Sequence, residues 1–242
     1  MESVISKEFI ILPSRCDGFG KLGIPQIFAA FGDIATLHAD DIGVGLSALM
    51  PKRLFWVTVK TVIRINRLPA MSESHRITTW PETPERVRTY RDYRISTNDG
   101  ESLIEGRSEW SIIDLDTGRP QSVADVFPAD FVFSDEKTAV PAFTRVRDDM
   151  GDIEPFAEYT VRSTDTDVGG HFNNANYVRA LAGVFSSAEW DGMNIREMEI
   201  IYKAQSYEGD RLFFRRRTEE NGDLRICVSN AENKTVLQVI IR

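Results

Sequence analysis

The sequence is poor in cysteine and histidine, with two cysteines and three histidines among 242 residues. Cys16 and Cys227 are too few for a disulfide framework, and so low a count is typical of a reducing compartment. The histidines, His38, His75 and His171, lie far apart, and no His or Cys pair has the spacing of metal ligands. The sequence therefore predicts no dedicated metal site.

Long apolar runs are also missing. No window approaches the roughly 18–20 apolar residues that a membrane-spanning helix needs, and the opening MESVISKEFIILPSRCDG lacks the features of a signal peptide. We therefore expect a cytoplasmic protein without a membrane span. Positive charge is in deficit as well, since the net charge is −8. No basic run carries interleaved aromatic residues, so nucleic acid is not expected as a partner.

What is present is a pattern of elements that occurs twice. The first copy has a short strand at Phe9 to Leu12, the apolar helical segment GIPQIFAAFGDIATLHADDIG, and then alternating β-branched segments such as FWVTVKTVIRINRLP. The second copy has the strand PFAEYTVRS, the helical segment NNANYVRALAGVFSSAEW and four further strand-like segments. Between the copies, from Pro120 to Pro155, the periodicity fades and prolines mark a connector.

A shift of 150 residues aligns the two copies at the start of their helices. It places DGFG, which begins at Asp17, on DVGG, which begins at Asp167, and Ile27 on Tyr177. A sheet curled around one helix explains this order of elements, because each helix is apolar over much of its surface. We predict an α+β fold with an N-terminal unit at residues 1–125, a connector at 126–152 and a C-terminal unit at 153–242.

The second helix begins in the most polar stretch of the chain, STDTDVGGHFNNANYVRAL. Its core, DTDVGGHFNNANY, resembles the active-site signature of hot-dog-fold thioesterases, especially the acyl-carrier-protein (ACP) thioesterases of bacteria and plant plastids. RINRLPAMSE, RSEWSIIDLDTGRP and AQSYEGD resemble further segments of that family, so the resemblance extends over nearly the whole chain. It implies two tandem hot-dog units, each an antiparallel sheet wrapped around a long central helix, with one active site in the second unit.

The polar stretch contains groups that thioester hydrolysis requires, namely a base or nucleophile and donors for the developing oxyanion. A helix N-terminus supplies unpaired amides, so those from Gly170 to Asn173 are candidate oxyanion donors. Gly169 and Gly170 also allow a carbonyl group to approach the backbone closely. Either Asp167 orients His171, or, as a resemblance to hot-dog acyl-CoA thioesterases implies, Asp167 is itself the base or nucleophile. From spacing alone, Asp167 and Asn173 are explained equally well as turn and cap residues.

The resemblance also places Gln205 and Ser206 on a strand that faces the catalytic histidine. The family pattern has Glu at the position of Gln205 and Asn at that of Gly169, whereas serine at 206 is normal for bacterial members. A glutamine can hold a water but cannot take its proton. The role of base therefore shifts to Asp167 or His171, or activity is lower than in typical members. The candidate catalytic set is Asp167, His171, Asn173, Gln205 and Ser206, with Gly169 and Gly170 as backbone donors.

The first copy has lost the polar pattern at its own helix start. Lys21 stands where the second copy has His171, and Ile24 stands where it has Asn174. We therefore expect no catalysis in the first unit, and the resemblance implies that this unit houses the acyl chain. The candidate lining residues are Phe28, Phe31, Ile34 and Trp56.

These features predict a hydrolase that converts fatty acyl-ACP to free fatty acid and holo-ACP in fatty acid biosynthesis, with no cofactor or metal. The alternatives are an acyl-CoA thioesterase of the same fold and a non-catalytic acyl-binding protein. The departures from the family pattern at Gly169 and Gln205 are compatible with the non-catalytic alternative.

The duplication already resembles a hot-dog dimer, so either a monomer or a homodimer is expected. ACP is acidic, so binding requires a local basic patch, for which the candidates are Arg86, Arg88, Arg94 and Arg215 to Arg217.

Overall fold

The computed structural model of the protein describes residues 2–242. Contacts within the chain divide it into two compact units that meet in sequence between Pro141 and Ala142, inside the segment predicted as a connector. Each unit consists of an antiparallel sheet and helical segments, as the α+β prediction requires.

Unit 1 contains one long helix and an antiparallel sheet. Its helices are α1 (Ile24–Asp41) and the short α2 (Leu46–Leu49). Its strands are β1 (Ile5–Ile10), β2 (Leu54–Ile65), β3 (Ser74–Pro81), β4 (Thr89–Ser96), β5 (Ser102–Asp114) and β6 (Pro120–Gln121). The order across the sheet is β1–β3–β4–β5–β2, and β6 pairs with β5.

The apolar face of α1 packs against this sheet. Pro25, in the first helical turn, lacks the N–H that would have no partner there. The ring of Phe31 stacks on Tyr93 of β4, with ring centroids 4.4 Å apart. A Cβ atom at Gly106 of β5 would lie 2.3 Å from the same ring. Gly106 is therefore needed where the helix approaches β5 most closely.

Unit 2 repeats the arrangement with shorter helices. Its helices are α3 (Asn174–Gly183) and α4 (Ser187–Gly192). Its strands are β7 (Ala157–Thr160), β8 (Glu197–Tyr202), β9 (Arg211–Thr218), β10 (Leu224–Ser229) and β11 (Thr235–Ile241). The order across the sheet is β8–β11–β10–β9–β7.

The prediction of one continuous helix over NNANYVRALAGVFSSAEW is wrong in its second half. The helix ends at Gly183, and Ser186 starts a new helix through a capping box with Glu189. The Ser186 N–H donates to the Glu189 carboxylate (2.9 Å), and the Ser186 hydroxyl accepts from the Glu189 N–H (3.3 Å). These two local bonds favour a new helix start over continuation of the old helix.

The predicted connector has no regular structure after the turn at Ala124–Val126, yet side chains at both of its ends make specific contacts. Its first part packs on unit 1, where Phe127 and Phe131 adjoin the core residues Ile42 and Val44. Its last part packs on unit 2, where Asp149 pairs with arginines of β9 and β10. Within residues 2–242 no helix is long and apolar enough to cross a membrane.

Two glycines of unit 1 give a matched test of this packing. We expect Gly106→Ala to destabilise the protein by about 1–3 kcal/mol, because the added methyl group clashes with Phe31. Gly32→Ala, inside α1, meets no atom within 4 Å and is expected to stabilise by up to about 1 kcal/mol. Urea denaturation of the two variants measures both effects. Equal stability of the two variants would contradict the tight packing of Phe31 on β5.

Candidate functional site

The polar turn before α3 has a counterpart before α1 with the same backbone hydrogen bonds. The Asp167 N–H donates to the His171 carbonyl oxygen (2.9 Å), as the Asp17 N–H donates to that of Lys21 (2.8 Å). Gly170 then donates to the Asp167 carbonyl oxygen (2.9 Å), and its φ of +73° is one that glycine adopts readily. The duplication predicted from sequence is thus confirmed at this turn.

Each turn is also hydrogen-bonded to the segment that follows the second strand of its unit, which is β8 in unit 2 and β2 in unit 1. The Phe172 N–H donates to the Ser206 carbonyl oxygen (2.8 Å). In the first copy the Leu22 N–H donates to the Pro69 carbonyl oxygen over the same distance. This bond brings His171 beside the segment that contains Gln205, the facing residue implied by the family resemblance.

Asp167 uses part of its carboxylate to shape the turn. Its Oδ1 accepts from the Gly169 N–H (2.8 Å). In the first copy, Oδ1 of Asp17 accepts in the same way from the Phe19 N–H (2.9 Å) and also accepts from the Lys21 N–H (2.9 Å). The aspartate therefore has a structural role even in the copy that lacks the histidine, while the His171 N–H has no acceptor among residues 2–242.

The His171 imidazole is half-buried and makes no hydrogen bond within the described part of the chain. A Cβ atom at Gly169 would lie 3.0 Å from its Nδ1 and 3.1 Å from Oδ1 of Asp167. The His171 and Asp167 side chains therefore both lie next to the position that the Cβ atom of a larger residue at 169 would occupy. They are close, but no direct hydrogen bond joins them.

Asn173 is the N-cap of α3. Its Oδ1 accepts from the Ala175 N–H (2.9 Å), and its own N–H donates to the Asp165 carbonyl oxygen (2.9 Å). The Nδ2 group of Asn176 donates to the same carbonyl oxygen (3.0 Å). Asn173 thus occupies the cap position that spacing allowed, and its side-chain oxygen is already bonded.

Most of the amides that sequence analysis offered as oxyanion donors are already bonded. The Gly169 and Gly170 N–H groups donate to Asp167, so the turn as folded does not support these glycines as donors. Phe172 and Asn173 donate to the backbone as described above. Of the stretch from Gly170 to Asn173, the His171 N–H remains without an acceptor among the described residues.

Ser206 is buried and bonded away from the imidazole. Its hydroxyl accepts from the Tyr177 hydroxyl at 2.7 Å, and its side chain has no exposed surface. Burial raises the pKa of Tyr177 to about 12, with the Ser206 hydrogen bond acting in the opposite direction. Tyr177 is therefore a core residue whose hydroxyl is bonded locally, and Ser206 is its partner.

Gln205 and Tyr207, on either side of Ser206, are exposed. The Tyr207 hydroxyl donates to Oε1 of Gln205 (3.2 Å), and the Tyr207 ring lies 5.3 Å from the His171 ring between centroids. Sequence reasoning missed Tyr207, because it lies in the turn before β9, where alternation predicts nothing.

Sequence reasoning also missed the bonding of Asp165. Its buried Oδ2 accepts from the Tyr159 hydroxyl (2.7 Å) and from the Arg162 N–H (2.8 Å). The turn at Ser163–Asp165 is thereby fixed to β7, and its backbone carbonyl in turn holds the start of α3. Asp165 therefore caps this turn from a buried position.

The four predicted acyl-chain residues fall into two groups in unit 1. Phe28, Phe31 and Ile34 are buried on one side of α1. Trp56 of β2 is half-buried near the C-terminal end of α1, and its indole N–H donates to the Val44 carbonyl oxygen (2.8 Å). Trp56 therefore packs with the cluster of Ile42 and Val44.

The buried side of α1 ends in a polar group. His38 accepts from Arg91 through Nδ1 (2.9 Å), and its Nε2 lies 3.0 Å from the Glu2 carbonyl oxygen. Burial, followed by the charge of Arg91, lowers the pKa of His38, so the ring is neutral at neutral pH. The interior of unit 1 is therefore not uniformly apolar.

The arginines proposed as a basic patch are mostly committed to other contacts. Arg88 pairs with Glu85, and Arg94 pairs with Glu105 and Glu136. Arg215 is buried against backbone and hydroxyl oxygens, and Arg217 pairs with Asp149 and Glu219. Residues 86 and 88 also precede β4, so Arg86 and Arg88 do not share a strand face with Arg94.

Family models match both units. The model described as the acyl-ACP thioesterase N-terminal domain matches residues 2–131, and that of the C-terminal domain matches residues 152–240. The fold and the site at the start of α3 thus define a member of the hot-dog thioesterases. More particularly, the chain belongs to the acyl-ACP thioesterase family.

Curated relatives agree with this assignment. The chain is 25% identical over 224 residues to the chloroplastic oleoyl-acyl carrier protein thioesterase 2 of Arabidopsis thaliana, covering 84% of this chain and 60% of that protein. It is 28% identical over 229 residues to a chloroplastic acyl-[acyl-carrier-protein] hydrolase of Cuphea viscosissima, covering 83% and 56%. The chain thus spans about three fifths of the length of these relatives.

Solved structures confirm the hot-dog fold. An acyl-ACP thioesterase from Bacteroides thetaiotaomicron matches with a TM-score of 0.89 and 24% identity, over 99% of this chain and 97% of that one. The 12:0-ACP thioesterase from Umbellularia californica matches with a TM-score of 0.80 and 18% identity, over 100% and 97%.

The contact between Tyr177 and Ser206 gives a prediction about stability. Ser206→Ala leaves a buried hydroxyl without a partner, so we expect a loss of about 1–3 kcal/mol. Adding Tyr177→Phe removes both partners and is expected to recover most of that loss. Denaturant unfolding of the two single variants and the double variant measures the coupling. Strictly additive losses would contradict the hydrogen bond.

Proposed function

We propose that this protein hydrolyses the thioester of fatty acyl-ACP, releasing a free fatty acid and holo-ACP, as the names of its curated relatives indicate for those proteins. One observation carries the proposal. The same backbone turn occurs twice, and only the copy before α3 presents an imidazole and an amide without an acceptor among residues 2–242. We further propose a place in fatty acid biosynthesis and a cytoplasmic location.

In the proposed reaction, His171 is the general base. Its imidazole takes a proton from a water molecule that attacks the thioester carbonyl carbon. The imidazolium formed in this step then gives the proton to the departing thiolate of the carrier. Asp167, which borders the same point as Nδ1 of His171, stabilises this cation through its charge. Asp167 therefore acts on His171 as well as on the turn.

The oxyanion that forms in this step needs donors. The His171 N–H and the first amide of α3, at Asn174, have no backbone acceptor among the described residues, and both lie at the positive end of the helix. We assign the oxyanion to these groups rather than to Gly169 and Gly170. We assign Ser206 a structural role, as the hydrogen-bond acceptor for the Tyr177 hydroxyl, rather than the role of nucleophile.

The acyl chain is assigned to unit 1, through Phe28, Phe31, Ile34 and Trp56. Acyl-CoA hydrolysis is the second candidate activity, and binding without turnover is the third. Gly169 and Gln205 favour the third because both differ from the family pattern. Turnover assays with acyl-ACP and acyl-CoA of matched chain lengths distinguish the three activities.

Activity is tested with purified protein by following release of free thiol. We expect hydrolysis of acyl-ACP, a fall in kcat of about 10²–10⁴-fold for His171→Ala, and no change for Lys21→Ala at the matching position of the first copy. Acyl binding without turnover on either carrier would contradict the proposal. Full activity of His171→Ala would contradict the assigned base but leave the activity standing.

Asp167→Asn separates the two roles of the aspartate. The amide oxygen of asparagine still accepts from the Gly169 N–H, whereas the charge is lost. We expect a stable protein with kcat lowered by about tenfold or more, equivalent to about 1.4 kcal/mol. Asp17→Asn is the matched control and should leave kcat unchanged. An unchanged kcat for Asp167→Asn would contradict a role of the carboxylate charge in the reaction and leave Asp167 only its role in shaping the turn.

ACP docking is assigned to Arg162 and Arg179. Both are exposed and neither has an ion-pair partner among residues 2–242; burial raises the pKa of Tyr159 beside the turn, and the positive charges of both arginines oppose that rise. Arg162 precedes the turn at Ser163–Asp165 and Arg179 lies in the middle of α3. Because neither is paired with a carboxylate, they suit an acidic carrier better than the paired arginines of the predicted patch.

We expect the double variant Arg162→Glu, Arg179→Glu to raise KM for acyl-ACP by about tenfold, or about 1.4 kcal/mol. The uncharged acyl-pantetheine thioester should be hydrolysed as before, because it lacks the acidic carrier. Lys7→Glu, Lys52→Glu makes the same change of net charge on exposed sites of unit 1 and serves as the control. Equal effects of the two double variants would contradict this docking site.

A further inference from the structure

Tyr207 contacts both the imidazole and the facing glutamine of the candidate site. Its ring lies 5.3 Å from that of His171, with the planes inclined at 59°, and its hydroxyl donates to Oε1 of Gln205 (3.2 Å). We propose that Tyr207 is a positioning residue that orients the Gln205 amide, so that Gln205 presents N–H donors to the substrate. This inference rests on the proposed thioesterase function.

The backbone of Tyr207 is fixed although its side chain is 50% exposed. Its N–H donates to Oδ2 of Asp210 (2.8 Å), and the Asp210 N–H donates back to its carbonyl oxygen (3.1 Å). Gly209, at a φ of +88°, closes the turn and donates to the Val161 carbonyl oxygen (2.9 Å). The hydroxyl therefore reaches Gln205 from a turn that is itself held to β7.

The donors and acceptors of the Gln205 side chain determine which ligand groups it can bind. A primary amide has one carbonyl oxygen and two N–H donors. The oxygen already accepts from Tyr207, and the Nε2 group of Gln205 makes no hydrogen bond within residues 2–242. Both donors of the Nε2 group are thus available to a ligand, which suits an oxyanion, while the oxygen is held by Tyr207. A glutamate at this position would instead offer an acceptor.

The first copy supports a role in the reaction rather than in folding. A shift of 137 residues places Tyr207 on Ala70 and Gln205 on Leu68. The backbone there has the same turn, in which Lys21 forms a β-bridge with Ala70. The fold is therefore built without the tyrosine, and the ring and hydroxyl occur where the histidine occurs.

A double-mutant cycle on turnover tests the inference. Tyr207→Phe keeps the ring beside His171 and removes only the hydroxyl, so we expect kcat to fall about tenfold with KM nearly unchanged. In the background of Gln205→Ala the same substitution should have no further effect, because the group it orients is gone. Tyr90→Phe, in unit 1, is the matched control. A loss that is the same with and without Gln205 would overturn the inference while the thioesterase activity stands.

A second measurement needs no turnover. The side-chain amide resonances of Gln205, assigned through their loss in Gln205→Ala, should shift in Tyr207→Phe and stay in place in Tyr90→Phe. If the wild-type protein hydrolyses neither acyl-ACP nor acyl-CoA, the proposed function fails, and this shift still supports the orientation of Gln205 by Tyr207. Unshifted resonances in Tyr207→Phe would overturn the inference whatever the activity.

Discussion

The hydrogen bond from the Phe172 N–H to the Ser206 carbonyl oxygen is the constraint on which the candidate site depends. It places His171 next to a segment distant in sequence, where the Tyr207 ring lies beside the imidazole and Gln205 is bonded to Tyr207. Because both partners are backbone groups, the bond imposes little on the side chains around it. The equivalent bond between Leu22 and Pro69 holds a turn with quite different side chains. The scaffold and the chemistry are therefore separable in this fold.

Much of the fold could be predicted from the sequence, because it is determined by local periodicity. The apolar pattern of α1 and the alternation in β2 and β5 predict elements close to those observed. The break between α3 and α4 was missed because apolar residues continue through it, whereas the capping box at Ser186 depends on two side-chain bonds. The connector was predicted from its lack of pattern, but its attachment to each unit depends on ion pairs and aromatic contacts that no period reveals.

The site was predictable in its residue types and less so in its contacts. His171 and Asn173 follow from their position at a helix start, and the structure places them there. That the Gly169 and Gly170 amides are already bonded, and that Ser206 faces Tyr177, depends on the folded turn and on burial. Tyr207 belongs to a turn whose shape is set by Asp210 and Gly209. Such contacts arise only when distant segments meet.

The two departures from the family pattern become related once the contacts are known. Gly169 removes the side-chain amide that the pattern has within the turn, next to Asp167 and His171. Gln205 brings an amide to the facing segment, where the pattern has a carboxylate. The oxygen of this amide accepts from the Tyr207 hydroxyl, and its two N–H donors remain available. An amide is thus lost from the turn and gained on the facing segment. In the proposed mechanism Asp167 supports the imidazolium by charge, since position 205 has no carboxylate. In the same mechanism Gln205 thus supplies the donor that Gly169 lacks, and the base is His171 rather than a carboxylate at position 205.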